Sequence, residues 1–426
     1  MDVTGTDPAR AIAALDRIEK NAHPSSAALL VELVYRTQSR AVLVHLITLI
    51  EKLSGIKFDG DLNTWYTWLW SVERPVRPDY AEFKALLFES IDPRFREYFA
   101  NSPKSLIRLD EIRWGGVLRD GIPPLKNPKM ISAREATWLE DDNIVFGVAI
   151  NGDVRAYPKR ILAWHEMFKD RIGGLELAGV YCTLCGALVM YDVTVNGVQH
   201  ELGTSGFLYR SNKLMYDHAT QSMWSTLTGS PVLGSLVRQG IALKSLYVVT
   251  TTWKEWRTRH PGTQVLSLDT GHVRDYGEGV AYSRYFGSDA LMFNVPKLDT
   301  RLPNKAEVLA LRLPQQDGEA LAIAADFLAS RPVYPVRLGN VSLVVLTDAS
   351  GANRVYESKG VNFASWDAQS KVIDAMGQPW RMEEAQLSGP GGEVLKRFSA
   401  HRAFWFGWHA AFPETRLIKS ASPTRP

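Results

Sequence analysis

Both cysteines of the 426-residue chain lie in one short stretch, Gly179-Val180-Tyr181-Cys182-Thr183-Leu184-Cys185-Gly186, between two runs that read as β-strands. Thiols at this spacing can hold a soft metal or cycle between dithiol and disulfide. A closed zinc site takes four ligands, usually from two such pairs, so a free-standing zinc ribbon is excluded. Two thiolates with an imidazole or thioether suit a soft ion, copper over zinc. His165, just upstream, is the expected third ligand, ahead of Met190, Met215 and His218. The second reading is a redox dithiol. A thioredoxin-type site sets its first cysteine at a helix N-terminus, which lowers the thiol pKa. Here Ala187 to Val195 reads as a strand, which ranks this reading below metal binding. The third reading is two small buried apolar side chains in a turn.

Other polar and aromatic residues could surround such a centre. His165-Glu166 offers a ligand with a supporting carboxylate, or a plain helix surface. Tyr181, Ser205, Tyr209, Asp217, His218 and Trp224 are further candidates for a pocket wall. Asp217 equally suits a helix cap, and Ser205 and Tyr209 a covered turn. No Gly-x-Gly-x-x-Gly, P-loop, His-Glu-x-x-His or Gly-x-Ser-x-Gly motif is present, so nucleotide, zinc-protease and serine-hydrolase chemistry have no support.

The elements that must position these groups fall into four stretches. Residues 1–102 carry helical periodicity: a helix entered at Asp7-Pro8, a long apolar one from about 25 to 53 ending at Gly55, the segment Trp65-Tyr66-Thr67-Trp68-Leu69-Trp70, and a helix over about 80–89. Residues 103–129 are turn-rich and read as a linker. Residues 130–290 read as a β-rich unit carrying the cysteines, with hairpins at Asn151-Gly152 and Asn196-Gly197. Residues 291–426 read as a second β-rich unit without thiols. The expected fold class is therefore α+β: an all-α domain, then a duplicated, mainly antiparallel β domain with short helices.

The duplication rests on a repeat. Trp253, Trp256, Pro261 and Thr263 recur as Trp405, Trp408, Pro413 and Thr415, each displaced by 152. Tyr157-Pro158 likewise has a counterpart in Tyr334-Pro335. On this alignment Thr347 and Ser350 stand where Cys182 and Cys185 do. The second unit cannot repeat thiol chemistry, and the paired tryptophans read as core anchors.

Composition narrows the function classes. The chain has 49 Lys plus Arg against 46 Asp plus Glu, a net charge of +3 with the charges interspersed, which argues against a nucleic-acid surface. Two cysteines exclude a disulfide scaffold. The longest apolar run, about 41–50, is too short to span a bilayer, and no signal peptide opens the chain. A soluble protein is expected, cytoplasmic as the sequence stands, or an exported form whose leader has been removed. The partner would be a small molecule or a protein.

The residues Asp120-Gly121-Ile122-Pro123-Pro124-Leu125, Ala156-Tyr157-Pro158, Trp164-His165-Glu166, Tyr181-Cys182-x-Leu184-Cys185-Gly186, Gly203-x-Ser205-Gly206, Tyr216-Asp217 and Trp224-x-x-x-Thr228-Gly229 occur together. With the Trp253–Thr263 pattern, this set resembles a prokaryotic family catalogued as domain of unknown function 3179, over about 110–420. The resemblance implies the domain and no particular activity. Thr183 stands where that family usually has proline, and His218 where Arg would be expected. The leading expectation is a metal-binding, redox-active protein, and if an enzyme a copper-type oxidoreductase, with Cys182, Cys185 and His165 as ligands. The alternatives are a binding or scaffold protein with structural cysteines and a partner-binding helical domain, or a dithiol–disulfide redox protein.

Overall fold

The structure is a computed structural model that describes residues 3–420 apart from 4, 6, 22, 35, 72–76, 102 and 315–317. The chain is α+β, with antiparallel sheets dominating. The first helix, Pro8–Lys20, is capped by the Asp7 carboxylate, which accepts from the backbone N–H of Ala9 and Arg10. The apolar run expected as one helix is two, Ala27–Val34 and Arg40–Ser54. The polar Thr37-Gln38-Ser39 offers no apolar face to continue the first, and Ser39 stands at the N-cap of the second. Gly55 closes that helix at φ 73°, a left-handed position that suits glycine. The tryptophan-rich segment is the helix Leu62–Ser71, with Trp65 and Trp70 buried. Among the described residues no helix is long and apolar enough to cross a membrane.

Residues 103–129 are more than a connector. Strand Ile112–Trp114 pairs with Leu202–Tyr209, and Leu125–Lys126 pairs with Met167–Ile172, so this stretch supplies edge strands to two sheets. The helical stretch also shares its core with the β region. Phe207 packs edge-on against Phe88, Phe95 and Phe99, with ring centroids 4.9, 4.8 and 5.3 Å apart.

Two sheets have the same plan. In the first, hairpin Ile144–Ile150/Asp153–Pro158 is flanked by antiparallel Val249–Thr252 on one side and parallel Gln264–Leu266 on the other. In the second, hairpin Glu307–Arg312/Ala320–Ala324 is flanked by antiparallel Ala400–Phe404 and parallel Arg416–Ile418. A helix joins the flanking strands in each, Trp253–Arg259 and Trp405–Ala411. In each, a buried indole N–H donates to a threonine hydroxyl: Trp256 to Thr263 at 3.0 Å and Trp408 to Thr415 at 2.9 Å. A three-stranded meander follows each hairpin: Met167–Ile172, Leu175–Cys182, Ala187–Asp192, then Val333–Leu338, Val341–Thr347, Asn353–Glu357.

The two plans interlock. Strand Ala400–Phe404 packs on Ala187–Asp192 of the first meander, while Val249–Thr252 packs on Asn353–Glu357 of the second. Each meander turn therefore meets the tryptophan helix of the other half.

Candidate functional site

Strand Leu175–Cys182 alternates its side chains between two cores. Tyr181 and Leu177 join one with Phe146, Leu188 and Met190; Cys182, Val180 and Ala178 join the other with Trp405 and Trp408. The strand ends at Cys182, and the turn returns through Gly186 at φ 61° into Ala187–Asp192. The turn brings the Cys182 and Cys185 sulfurs to disulfide-bonding distance, with Cα atoms 5.4 Å apart. Both residues are buried, 2% and 1% exposed.

The other half completes the turn. Phe404 donates its backbone N–H to the Cys185 carbonyl at 2.8 Å, and helix Trp405–Ala411 presents Gly407 to the Cys185 side chain. A Cβ at 407 would lie 2.6 Å from Cys185 Cβ, so only glycine fits without a shift. The short helix Ser283–Phe286, between the halves, also packs on the turn, where the Tyr285 hydroxyl donates to the Leu184 carbonyl at 2.7 Å.

Cys182, and not Cys185, lines a small cavity of about 70 Å³. Its charged groups are Glu166 and Lys213, paired at 2.7 Å and both buried. The Glu166 carboxylate also accepts from the Thr183 hydroxyl at 2.8 Å and the Tyr282 hydroxyl at 3.0 Å. Burial foremost, with the nearby Glu166 charge, pushes the Tyr282 phenol far above its usual range, so it stays protonated and donates. The Cys185 backbone N–H points at Cys182 Sγ at 3.4 Å. A thiolate formed at Cys182 would thus have an N–H donor, while the ammonium group in its cavity is already paired with Glu166.

The predicted residues separate. Helix Lys159–His165 ends with Glu166 in the left-handed region at φ 55°, and this reversal sends two neighbouring side chains different ways. Glu166 goes to the cysteine cavity. His165 goes to the Pro123 carbonyl, 2.9 Å from Nδ1, and the Tyr276 hydroxyl, 2.6 Å from Nε2. Burial is the main cause that lowers its pKa, which favours a neutral ring. The expected ligand trio therefore does not converge. Among the described residues, the group of three or more His, Cys, Asp or Glu whose ligand atoms lie within 4.8 Å of one another is Asp16, Glu19 and His45 in the helical region. Met190 and Tyr181 lie on the face of the sheet opposite the sulfurs.

Ser205 is spent within its own strand pair, donating to the Leu214 carbonyl at 2.7 Å and accepting from Phe207 N–H at 3.0 Å. Asp217 pairs with His200 at 2.6 Å and clasps its own turn through the N–H of Ala219 and Thr220. The buried Trp224 ring lies against His200, centroids 5.1 Å apart. His218 sits beside the Tyr216 hydroxyl, 3.1 Å from Nε2, and Tyr209 stacks near Arg210. None of these five lines the cysteine cavity.

Three contributors escaped the sequence reading as site residues. Lys213 carried no signal of its own, since three of the six residues of strand Asn212–Asp217 are polar and only the tertiary packing buries them all. Thr183 was visible only as a departure from the family pattern. Tyr282 lies in an irregular stretch with no periodicity to mark it.

No curated protein and no solved structure matches the chain. The family described as Protein of unknown function (DUF3179) matches residues 119–415, a span that holds every residue of the cysteine cavity except Gly115 and Val117, and the chain belongs to that family.

Proposed function

We propose that this chain is a dithiol–disulfide redox protein in which Cys182 exchanges with a thiol partner. The observation that carries this reading is the joined pair with a single sulfur on a cavity wall beside a buried carboxylate–ammonium pair. A partner thiol, its proton released to solvent, attacks Cys182 Sγ as the thiolate. The Cys182–Cys185 bond breaks, and its electron pair leaves on Cys185, which takes up a proton from solvent in place of the one released. The partner's second thiol then attacks its own sulfur in the mixed disulfide and releases Cys182 as the thiolate, which is protonated in turn. Overall a partner dithiol becomes a disulfide, the protein disulfide becomes two thiols, and two protons move with the two electrons. The matching sheets and meanders support a duplicated unit in which the first copy holds the chemistry and the second supports it.

The test is equilibration of the native protein in dithiothreitol redox buffers, followed by alkylation and intact mass. One reversible two-electron transition is expected at a potential above about −300 mV. The fold should persist, since a loop this short contributes only about 2 kcal/mol. Sulfurs that resist reduction until urea unfolds the chain would overturn the proposal in favour of a structural disulfide in a scaffold protein. The metal reading, copper over zinc, belongs to the reduced state and needs His165 to leave Pro123 and Tyr276. One equivalent of Cu(I) bound by the reduced protein, and lost in both Cys182→Ser and His165→Gln, would favour that reading instead.

A further inference from the structure

Next to the cysteine cavity lies a larger one of about 360 Å³, between the helical stretch and the sheet edge. The two share Met292 and Phe293 as a common wall. Its volume is within the range of small-molecule sites. Its lining combines aromatic rings, Tyr66, Phe88, Trp114 and Phe293, with two guanidinium groups, Arg36 and Arg113.

The charge balance of this cavity is unusual. Arg113 is only 9% exposed, and its guanidinium lies 4.0 Å from the Tyr66 ring centre and 5.4 Å from that of Phe293. Its polar partners are neutral, the side-chain oxygens of Asn63 at 3.0 Å and Asn294 at 2.9 Å. Arg36 donates to the Ser90 hydroxyl at 2.7 Å, while its Nε is buried with no partner among the described residues. The carboxylate in the lining, Glu32, is already neutralised by buried Lys84 at 2.6 Å and accepts from Tyr80 at 3.2 Å. No carboxylate of the described residues pairs with Arg36 or Arg113. Buried guanidinium groups normally have an anionic partner, because desolvating a charge without one is costly.

We infer that this cavity is a binding site for a small organic anion: a carboxylate or similar group held by Arg36 and Arg113, attached to a flat apolar body packed among the four rings. The inference does not need the redox reading. The shared wall of Met292 and Phe293 places such a ligand beside the disulfide, as a substrate group or an effector would be.

The experiment is isothermal titration of the native, oxidised chain with 2-naphthoate and with its neutral analogue 2-naphthylmethanol. The result expected is saturable one-to-one binding of naphthoate and binding of the alcohol weaker by about tenfold or more, the cost of losing a charge-assisted contact. Arg113→Met should remove that preference. Arg36→Met, at a half-buried position, tests the same charge with less risk to folding, and circular dichroism checks both. Sulfate should compete only weakly, since it has no ring to bury. No saturable naphthoate binding, equal binding of the alcohol, or binding unchanged in both folded variants would overturn the inference, as would sulfate competing as well as naphthoate. Repeating the titration on Cys182→Ser/Cys185→Ser keeps this outcome separate from that of the redox test, since binding should survive there.

Discussion

The turns at 182–187 and 347–352 occupy the same place in two similar frames and are filled in opposite ways. The first carries two sulfurs, faces Gly407 and borders a cavity. The second carries Asp348 and Ser350, borders a cavity of its own and faces Glu255, the residue 152 positions before Gly407. There, fully buried Arg354 joins Asp348 at 2.8 Å, Glu384 at 2.9 Å and Glu255 at 3.4 Å. The Ser350 hydroxyl donates to Asp348 at 2.6 Å, and His260 and Arg397 flank Glu384. One frame is locked by an ion network whose every charge has a partner. The other holds the sulfur pair, with one buried carboxylate–ammonium pair, Glu166 and Lys213, beside it. The contrast teaches that similar frames can close the same turn either with a sulfur pair or with a network of charges.

Breaking the lock should have the largest effect. Burial alone would raise the Glu384 carboxyl, but Arg354, helped by His260 and Arg397, outweighs it and holds the group well below its usual range. Arg354→Met removes the shared cation from three carboxylates and should cost about 3–5 kcal/mol in urea unfolding at neutral pH. The stranded carboxylates would then have raised pKa values, so the deficit should shrink as pH falls and they take up protons. A variant equal to the parent at pH 7 would mean that the second turn is not held by charge.

A second contrast lies in the strands that feed the tryptophan helices. Where the first has Val249, the second has His401, 152 positions on, with Nε2 buried and unpartnered among the described residues. Burial pushes this imidazole down to about 4. Its folded pKa lies below the unfolded value of about 6.5, so its stability is intact above that value and is lost progressively as pH falls toward 4. The full loss is about 3 kcal/mol. His401→Val should flatten this part of the pH–stability curve, measured as urea midpoints from pH 7 to 4. An unchanged acid limb would assign the loss to other groups.

The smallest effect should come from crowding the sulfur turn. Gly407→Ala puts a methyl group against Cys185 and forces the turn to shift, at about 1–3 kcal/mol. The rate of disulfide reduction by dithiothreitol should change with it, because the shift acts on the sulfur itself. A rate equal to that of the parent would show that Gly407 serves packing alone.

Much of this was legible in the residues. Asn151-Gly152 and Asn196-Gly197 turn hairpins with positive φ at both positions, as their types require. Asp7, Gly55 and the helix Tyr80–Glu89 stand where capping and periodicity place them. The interval of 152 between the Trp–Thr patterns marks two matching hydrogen bonds. These features are local, or are repeats of local features, and local chemistry fixes them.

What the sequence determined by itself was the α+β class, the family and the place of both cysteines at one strand-to-strand turn. Tertiary structure decided which groups meet there. His165 and Glu166 are adjacent in the chain, yet one left-handed residue sends them to different sites. Lys213, Tyr282 and Gly407 reach the turn from 28, 97 and 222 residues beyond Cys185. Such convergence depends on how sheets from the two halves interlock. No periodicity records that, because burial and pairing are satisfied only once distant strands have packed.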